Sequence, residues 1–559
     1  MIGDLHHGAP EGPLRADVVI VGAGPAGITL GLELAASGIE VLIVEAGGAR
    51  YQAEGQAFYR AAAVSPDTHG PAQLYRRRQF GGSSALWGGR CIPLDPIDLE
   101  PRPWMAHSGW PISHDELAHH YDAAAAWCEA GPARFDAGSA LPGEAPALVA
   151  GVPNGDIVLD RIERFSPPTD FGRRYRVRLE RAPCLRVLLH APVMRVLSHE
   201  GGAAAAGVEV RVGQTLLRIE AARVVLAAGG IETARLLLAS NDQRSCGLGN
   251  ERDLVGRFYQ CHLEGEVGRI RFVAPPAAVR AGYERSPDGV YCRRYAWLSP
   301  AAQRREALAG LVLRPNHANI VNPDHRQAVL SAMYLVKHLI VPEYARKLTA
   351  LEEHALAARR ANALRFHAEH LRNLVLGAPG LLAFSAMWAR KRVFARRKLP
   401  SVFLPDPRGI YPIEFNAEQE PHPDSRITLD AERDAHGQRQ VRIDWRTTEA
   451  DHRRLVSGLR LMQAAFTAQG GARLEFDGAD LDAAAAQRIP VGGHHIGTAR
   501  MGHSAATGVC DANGELFGTR GLFIAGAAAF PTSGFANPTL TIIALAVRLA
   551  QHLVASTAR

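Results

Sequence analysis

The chain has few cysteines, seven in 559 residues, and they are scattered: Cys91, Cys128, Cys184, Cys246, Cys261, Cys292 and Cys510. None forms a CxxC pair and none sits with histidines at zinc spacing. Neither a disulfide framework nor a metal site is expected, and the usage fits a reducing compartment. No run of 18 or more apolar residues occurs, so no transmembrane helix is expected. The opening MIGDLHHGAPEGPLRAD lacks a basic stretch followed by an apolar one and has no twin arginine. That argues against a signal peptide and for a cytoplasmic location. There is no internal repeat or low-complexity tract. No RRM, helix-turn-helix or zinc signature is present, so nucleic acid is not an expected partner.

What remains is an ordinary globular composition, 47% hydrophobic and 21% charged with a net charge of +7. The length suits two or three domains, or one large two-domain enzyme with a sizeable core. The most informative stretch is Ala16–Gly48. Val18-Val19-Ile20-Val21 reads as a buried parallel strand. Gly22, Gly24 and Gly27 follow in GxGxxG spacing, around Pro25 and Ala26, and open an Ala/Leu-rich helix. A second strand, Val41–Val44, ends on Glu45. Gly22 suits a tight turn, Gly24 close approach to a pyrophosphate, and Gly27 packing of helix on strand. The helix N-terminus favours an anion. Glu45, about 20 residues on, is placed to accept from ribose hydroxyls. Strand, glycines, helix and acid together predict a dinucleotide site, without separating FAD from NAD.

A second glycine-rich stretch, Phe80–Gly89, holds Gly81, Gly82, Ser83, Trp87 and Gly88. Such a backbone can wrap a flat ligand and offer N–H and hydroxyl groups to it. Strands are expected at Cys184–His190 and from Val193 to Ser198, with a hairpin at Val208–Val212 and Leu216–Ile219. Arg223–Gly230, a buried strand running into a small-residue turn at Ala227-Ala228-Gly229-Gly230, and a helix over Ile231–Ser240 repeat the strand–turn–helix theme beside the dinucleotide. Short strands and turns are expected from Cys261 to Ile320. Residues 325–400 read as helical, broken at Pro342 and at Gly377–Gly380. They hold 14 Lys and Arg against 4 Asp and Glu. Leu381, Leu382, Phe384, Met387, Trp388, Val393 and Phe394 lie beside Arg390, Lys391, Arg392, Arg396, Arg397 and Lys398. This basic insert is either a helical cap with a solvated face or a surface for an anionic membrane or partner. Strands near Ser425–Leu429 and Gln440–Trp445, then a helix over Glu449–Gln469, lead to the C-terminal motifs.

Those motifs are Val491–Gly502, with His494-His495 in a glycine loop, a strand at Leu522–Gly526 followed by Ala527, and Phe530–Thr541 with Asn537-Pro538-Thr539. An apolar helix, Ile542–Leu553, ends the chain. A histidine beside a redox ring can accept a hydroxyl proton and so favour hydride departure from the carbinol carbon. A neighbouring amide can orient the same hydroxyl.

GAGPAG with its glutamate, FGGSSALWGG, VVLAAGGIETARLL, HHIGTARMG and GFANPTLT, in this order, resemble the glucose–methanol–choline (GMC) oxidoreductases, in particular their pyranose-oxidase-like, sugar-oxidising branch. The resemblance fades across Leu263–Pro405. It implies FAD, hydride transfer to the flavin N5, a catalytic histidine four residues before the Thr of the GT motif, and an asparagine in the terminal NPT. Counting back from Thr498 gives His494 as general base, and Asn537 takes the amide position. His495 is assigned to packing or support. Where pyranose oxidases carry a histidine bonded to the flavin, this chain has Leu86, which predicts dissociable FAD.

The expected fold is α/β (α+β overall): a Rossmann-like FAD-binding domain of discontinuous segments, 1–100, 185–260 and 488–559. An antiparallel-sheet substrate domain, 101–184 and 261–487, would carry the insert. The expected function is oxidation of a secondary hydroxyl of a sugar, glycoside or polyol, with oxygen, a quinone or a carrier protein as external acceptor. The alternatives are a sterol- or lipid-alcohol oxidase or natural-product tailoring enzyme at a membrane surface, and a non-catalytic flavin-binding scaffold.

Overall fold

The computed structural model describes residues 1–8, 14–65, 69–143, 146–336, 363–476, 481–486 and 493–557. Val18–Val21 is buried along its whole length, as a strand covered on both faces must be. It lies within a six-stranded sheet ordered Ile2–Asp4, Leu185–Leu189, Val41–Val44, Val18–Val21, Arg223–Leu226 and Leu522–Ile524. Every pairing in that sheet is parallel. Parallel neighbours need a crossover. Helix Pro25–Ala36 supplies the one between Val18–Val21 and Val41–Val44, and packs against the terminal helix Thr539–Thr557. The carboxyl ends of three neighbouring strands, Val18–Val21, Arg223–Leu226 and the edge strand Leu522–Ile524, lead into glycine turns at Gly22, Gly229 and Gly526. Ligands of open α/β sheets bind at that edge.

A second six-stranded sheet is antiparallel. Its order is Ala472–Phe476, Leu263–Phe272, Ile410–Ala417, Leu311–Pro315, Ala296–Leu298 and Ile157–Val158. Helix Glu449–Gln469 has the bounds that its period predicts. Thr448 and Asp451 cap its start reciprocally, and Gly470, at φ 75°, ends it. Its buried Leu455, Leu459, Met462 and Phe466 form one face.

Some elements depart from the sequence reading. Leu263–Phe272 is one ten-residue strand where only short strands were expected. Gly265, Gly268 and alternating charges hide its length, and its register shifts between Glu266 and Arg269. The terminal helix starts at Thr539, not Ile542. The Ile542 N–H reaches Pro538 O at 2.8 Å and closes a turn that the apolar pattern does not mark. In the insert, helices Ala363–Leu376 and Ala378–Trp388 meet at Gly377. Pro379 sits in the first turn of the second, where its missing N–H costs nothing. The expected breaks at Pro342 and the start of the histidine loop at Val491-Gly492 lie outside the described residues.

Candidate active site

At the first turn, Gly22 has φ +105°, and a Cβ there would lie 2.7 Å from Ala227 O. Only glycine fits. A Cβ on Gly27 would lie 2.0 Å from Gly22 O, so the helix can seat on the turn only without a side chain. Glu45 is buried; its carboxylate accepts from the Ala23 N–H (2.9 Å) and the Gly47 N–H (2.8 Å). Burial pushes this carboxyl up to about 7, against the pull of those two bonds and of Arg78. The glycine-rich stretch is pinned. Trp87 Nε1 donates to Thr169 O (3.0 Å), Ser84 Oγ donates to Gly81 O (2.6 Å), and the Phe171 N–H donates to Ser84 Oγ (3.0 Å).

One cavity of about 440 Å³ runs along the strand ends. Its wall includes Gly22, Gly24, Pro25, Ala26, Glu45, Gly82, Ser83, Trp87, Gly88, Val193, Ala228, Gly229, Gly526, Ala527, Asn537, Pro538 and Thr539, together with Leu86, His494 and His495. Two expected contacts are corrected. Gly27 and Gly81 do not line the cavity; they shape it from behind. Gly81, at φ +97°, donates its N–H to Ala23 O (2.8 Å) and is packed on Asp170 and Gly172.

The wall suits an extended dinucleotide. At Gly24, Gly229 and Gly526 an added Cβ would meet no protein atom within 4 Å. All three glycines therefore present bare backbone to the same open space. The helices Pro25–Ala36 and Gly230–Ala239 begin there with no side-chain cap on their N–H groups, which leaves those donors for phosphate. Asn537 keeps a buried Oδ1 with no partner among the described residues.

Asn537 and His494, 43 residues apart in sequence, meet in this wall. Asn537 Nδ2 lies 3.1 Å from His494 Nε2. The histidine loop is held by paired bonds between Ile496 and Gln260 (3.1 and 2.9 Å), by the Gly497 N–H to Ala527 O (3.0 Å), and by Thr498 Oγ1 to Gly230 O (2.5 Å). Burial, with the Arg90 guanidinium, pushes the His494 imidazole down to about 4. It is neutral at pH 7 and able to accept a proton. His495 stacks on Tyr259 with ring centroids 6.2 Å apart.

Sequence reasoning missed His262 and Glu264. Nδ1 of His262 is 2.9 Å from Nδ1 of His494, and Glu264 Oε1 is 3.8 Å from the same nitrogen. Both residues come from the start of the Leu263–Phe272 strand region, in no motif. The one available signal was the Gln260–Ile496 pairing, which brings the two segments together only in three dimensions. Arg76, Glu232 and Arg235, also on the wall, form a buried ion-pair chain that continues to Asp434.

A family model for GMC oxidoreductases matches residues 421–546, and one for an FAD binding domain matches residues 15–68. The C-glycoside 3-oxidase of Microbacterium trichothecenolyticum is 46% identical over 68 residues, 12% of this chain and 13% of that protein. The C-glycoside 3-oxidase of Arthrobacter globiformis is 33% identical over 123 residues, 22% of each chain. These likenesses thus span 13% and 22% of the two relatives. The 2-methyl-1,2-propanediol dehydrogenase of Mycolicibacterium austroafricanum is 23% identical across 96% of this chain and 95% of that one. Pyridoxine 4-oxidase from Mesorbium loti shares the fold with a TM-score of 0.51 and 18% identity, over 96% of this chain and 99% of that one. A fungal aryl-alcohol oxidase does so with 0.51 and 14%, over 97% and 99%. The chain is a flavoprotein whose cofactor is FAD. Its residues 421–546 match the model of the GMC oxidoreductases and its residues 15–68 that of an FAD binding domain, so the likeness to that family lies in these two parts of the chain.

Proposed function

We propose that the protein oxidises a secondary hydroxyl of a sugar, glycoside or similar polyol to a carbonyl. In this reading residues 1–100, 185–260 and 488–559 hold the cofactor, and 101–184 with 261–487 hold the substrate. Bound FAD supplies the hydride acceptor; the remaining work falls to the chain's own residues. A hydroxyl oxygen entering beside the His494–Asn537 contact gives its proton to Nε2 and accepts from Nδ2–H. That fixes the carbinol C–H in one direction. The donor at Nδ2 requires Nε2 to be the unprotonated ring nitrogen. The ring proton then sits on Nδ1 and is donated to Nδ1 of His262, which sets the tautomer. Leu86 offers no nucleophile, so the FAD is dissociable. Electrons leave to an external acceptor (oxygen, a quinone or a carrier protein), and the enzyme works in the cytoplasm.

The observation that carries this reading is that the His494–Asn537 pair opens into the same cavity as the Gly22 turn and Glu45. The two local C-glycoside 3-oxidase likenesses support the sugar class. The test is anaerobic titration of the purified yellow protein with sugars and glycosides. Bleaching of the flavin by a sugar supports the reading. No bleaching by any sugar, with bleaching by a sterol or long-chain alcohol, would select the lipid-alcohol alternative, which the exposed apolar helices of the insert favour.

A further inference from the structure

Helix Ala363–Leu376 is buried on one side and carries an apolar stripe on the opposite, exposed side. On the buried side Phe366, His370 and Asn373 face the fold. There Phe366 joins a small core with Ile320, Val321, Leu330 and Tyr334, and Asn373 Nδ2 donates to Pro323 O (2.8 Å). The other side carries Ala368, Leu371 and Val375, spaced three and four apart on one stripe. Leu371 is 58% exposed and Val375 68%. Arg365 and Arg372 flank that stripe and are exposed. The outer face of a surface helix is ordinarily polar. The pattern continues in helix Ala378–Trp388, which buries no side chain although it is almost wholly apolar. Phe394 beyond it is 82% exposed. Exposed Arg390, Lys391, Arg396 and Lys398 surround this end. Nine of the fifteen exposed large apolar side chains among the described residues fall between Leu335 and Phe394. Clustering of that kind marks an interaction surface.

Charge decides the occupant. Residues 363–398 hold eight Lys and Arg against one Glu. A second copy laid face to face would set cations against cations. An anionic lipid surface takes both features at once: the apolar side chains enter the acyl boundary while the long basic side chains reach the headgroups. We propose that the helices Ala363–Leu376 and Ala378–Trp388, with the cations at 390–398, dock the enzyme on an anionic bilayer surface. The proposal is independent of which alcohol is oxidised.

The test is co-sedimentation of the FAD-loaded protein with two kinds of vesicle, phosphatidylcholine alone and phosphatidylcholine mixed with phosphatidylglycerol. Binding is expected to the mixed vesicles only, and to weaken with salt. The double variant Arg390→Gln/Lys391→Gln should bind roughly tenfold more weakly. Leu371→Glu/Val375→Glu should also bind at least about tenfold more weakly. Both variants should keep the flavin spectrum and substrate bleaching of the parent. Failure of the parent protein to sediment with anionic vesicles at low salt overturns the proposal. So does equal binding to both vesicles, or a parent dimer that the Leu371/Val375 changes disperse while vesicle binding stays absent. The comparison of the two vesicles with the parent protein decides the matter even where a variant fails to fold.

Discussion

His494 is bounded on both ring nitrogens, by Asn537 at Nε2 and by His262 at Nδ1. This arrangement makes His262 a positioning residue, since it touches the proposed base and holds its proton on the far side. His262→Ala removes the acceptor and should slow flavin reduction about tenfold, the worth of one hydrogen bond. His262→Gln, whose side-chain oxygen can accept the same proton, should recover most of that rate. A merely structural role would instead lower the flavin content of the two variants alike. His494 and Asn537 were legible in the sequence because each sits in a short motif with fixed spacing. His262 was not, because 232 residues separate it from His494 and its partner is chosen by strand pairing, which leaves no local pattern.

At the scale of elements, the glycines of the first turn do different work and can be told apart. Gly22→Ala puts a Cβ 2.7 Å from Ala227 O at a backbone φ of +105°. The variant should be destabilised and colourless. Gly24→Ala meets no protein atom, so its melting temperature without cofactor should match the parent's while FAD affinity falls. Thermal melts of the two apoproteins, with FAD titrations, check both statements. Elements with a strong local period, Val18–Val21, Val41–Val44 and Glu449–Gln469, could be read directly. What could not be read was the placement of Ile2–Asp4 at the far edge of the parallel sheet, or the length of Leu263–Phe272. Three residues of edge strand carry no period, and glycines with alternating charges mask one.

For the whole molecule, the described residues include several buried histidines held neutral. Burial pushes His69, His325 and His494 down to about 4, and His262 lower than its ordinary value. Between about pH 6.5, the ordinary histidine value, and about 4, the unfolded chain binds protons that the native state refuses. Stability from these groups is present above that window and is lost as pH falls through it. Glu45, raised to about 7, acts in the opposite sense and offsets part of this. The melting temperature should therefore fall from pH 6.5 toward 4.5, and less steeply in His69→Gln, which removes one contributor. Equal slopes in the two proteins would contradict this assignment.

The same scale holds the central claim, because the site exists only where chain from near residue 22, near 262 and from 494 to 537 converges. The most direct test is stopped-flow reduction of the bound flavin, without oxygen, by whichever sugar or glycoside bleaches the parent protein, repeated with His494→Ala. The account predicts a loss of about 10²–10⁴ in the reduction rate, the usual worth of a general base, with flavin still bound. Reduction of the variant at the parent's rate would contradict it.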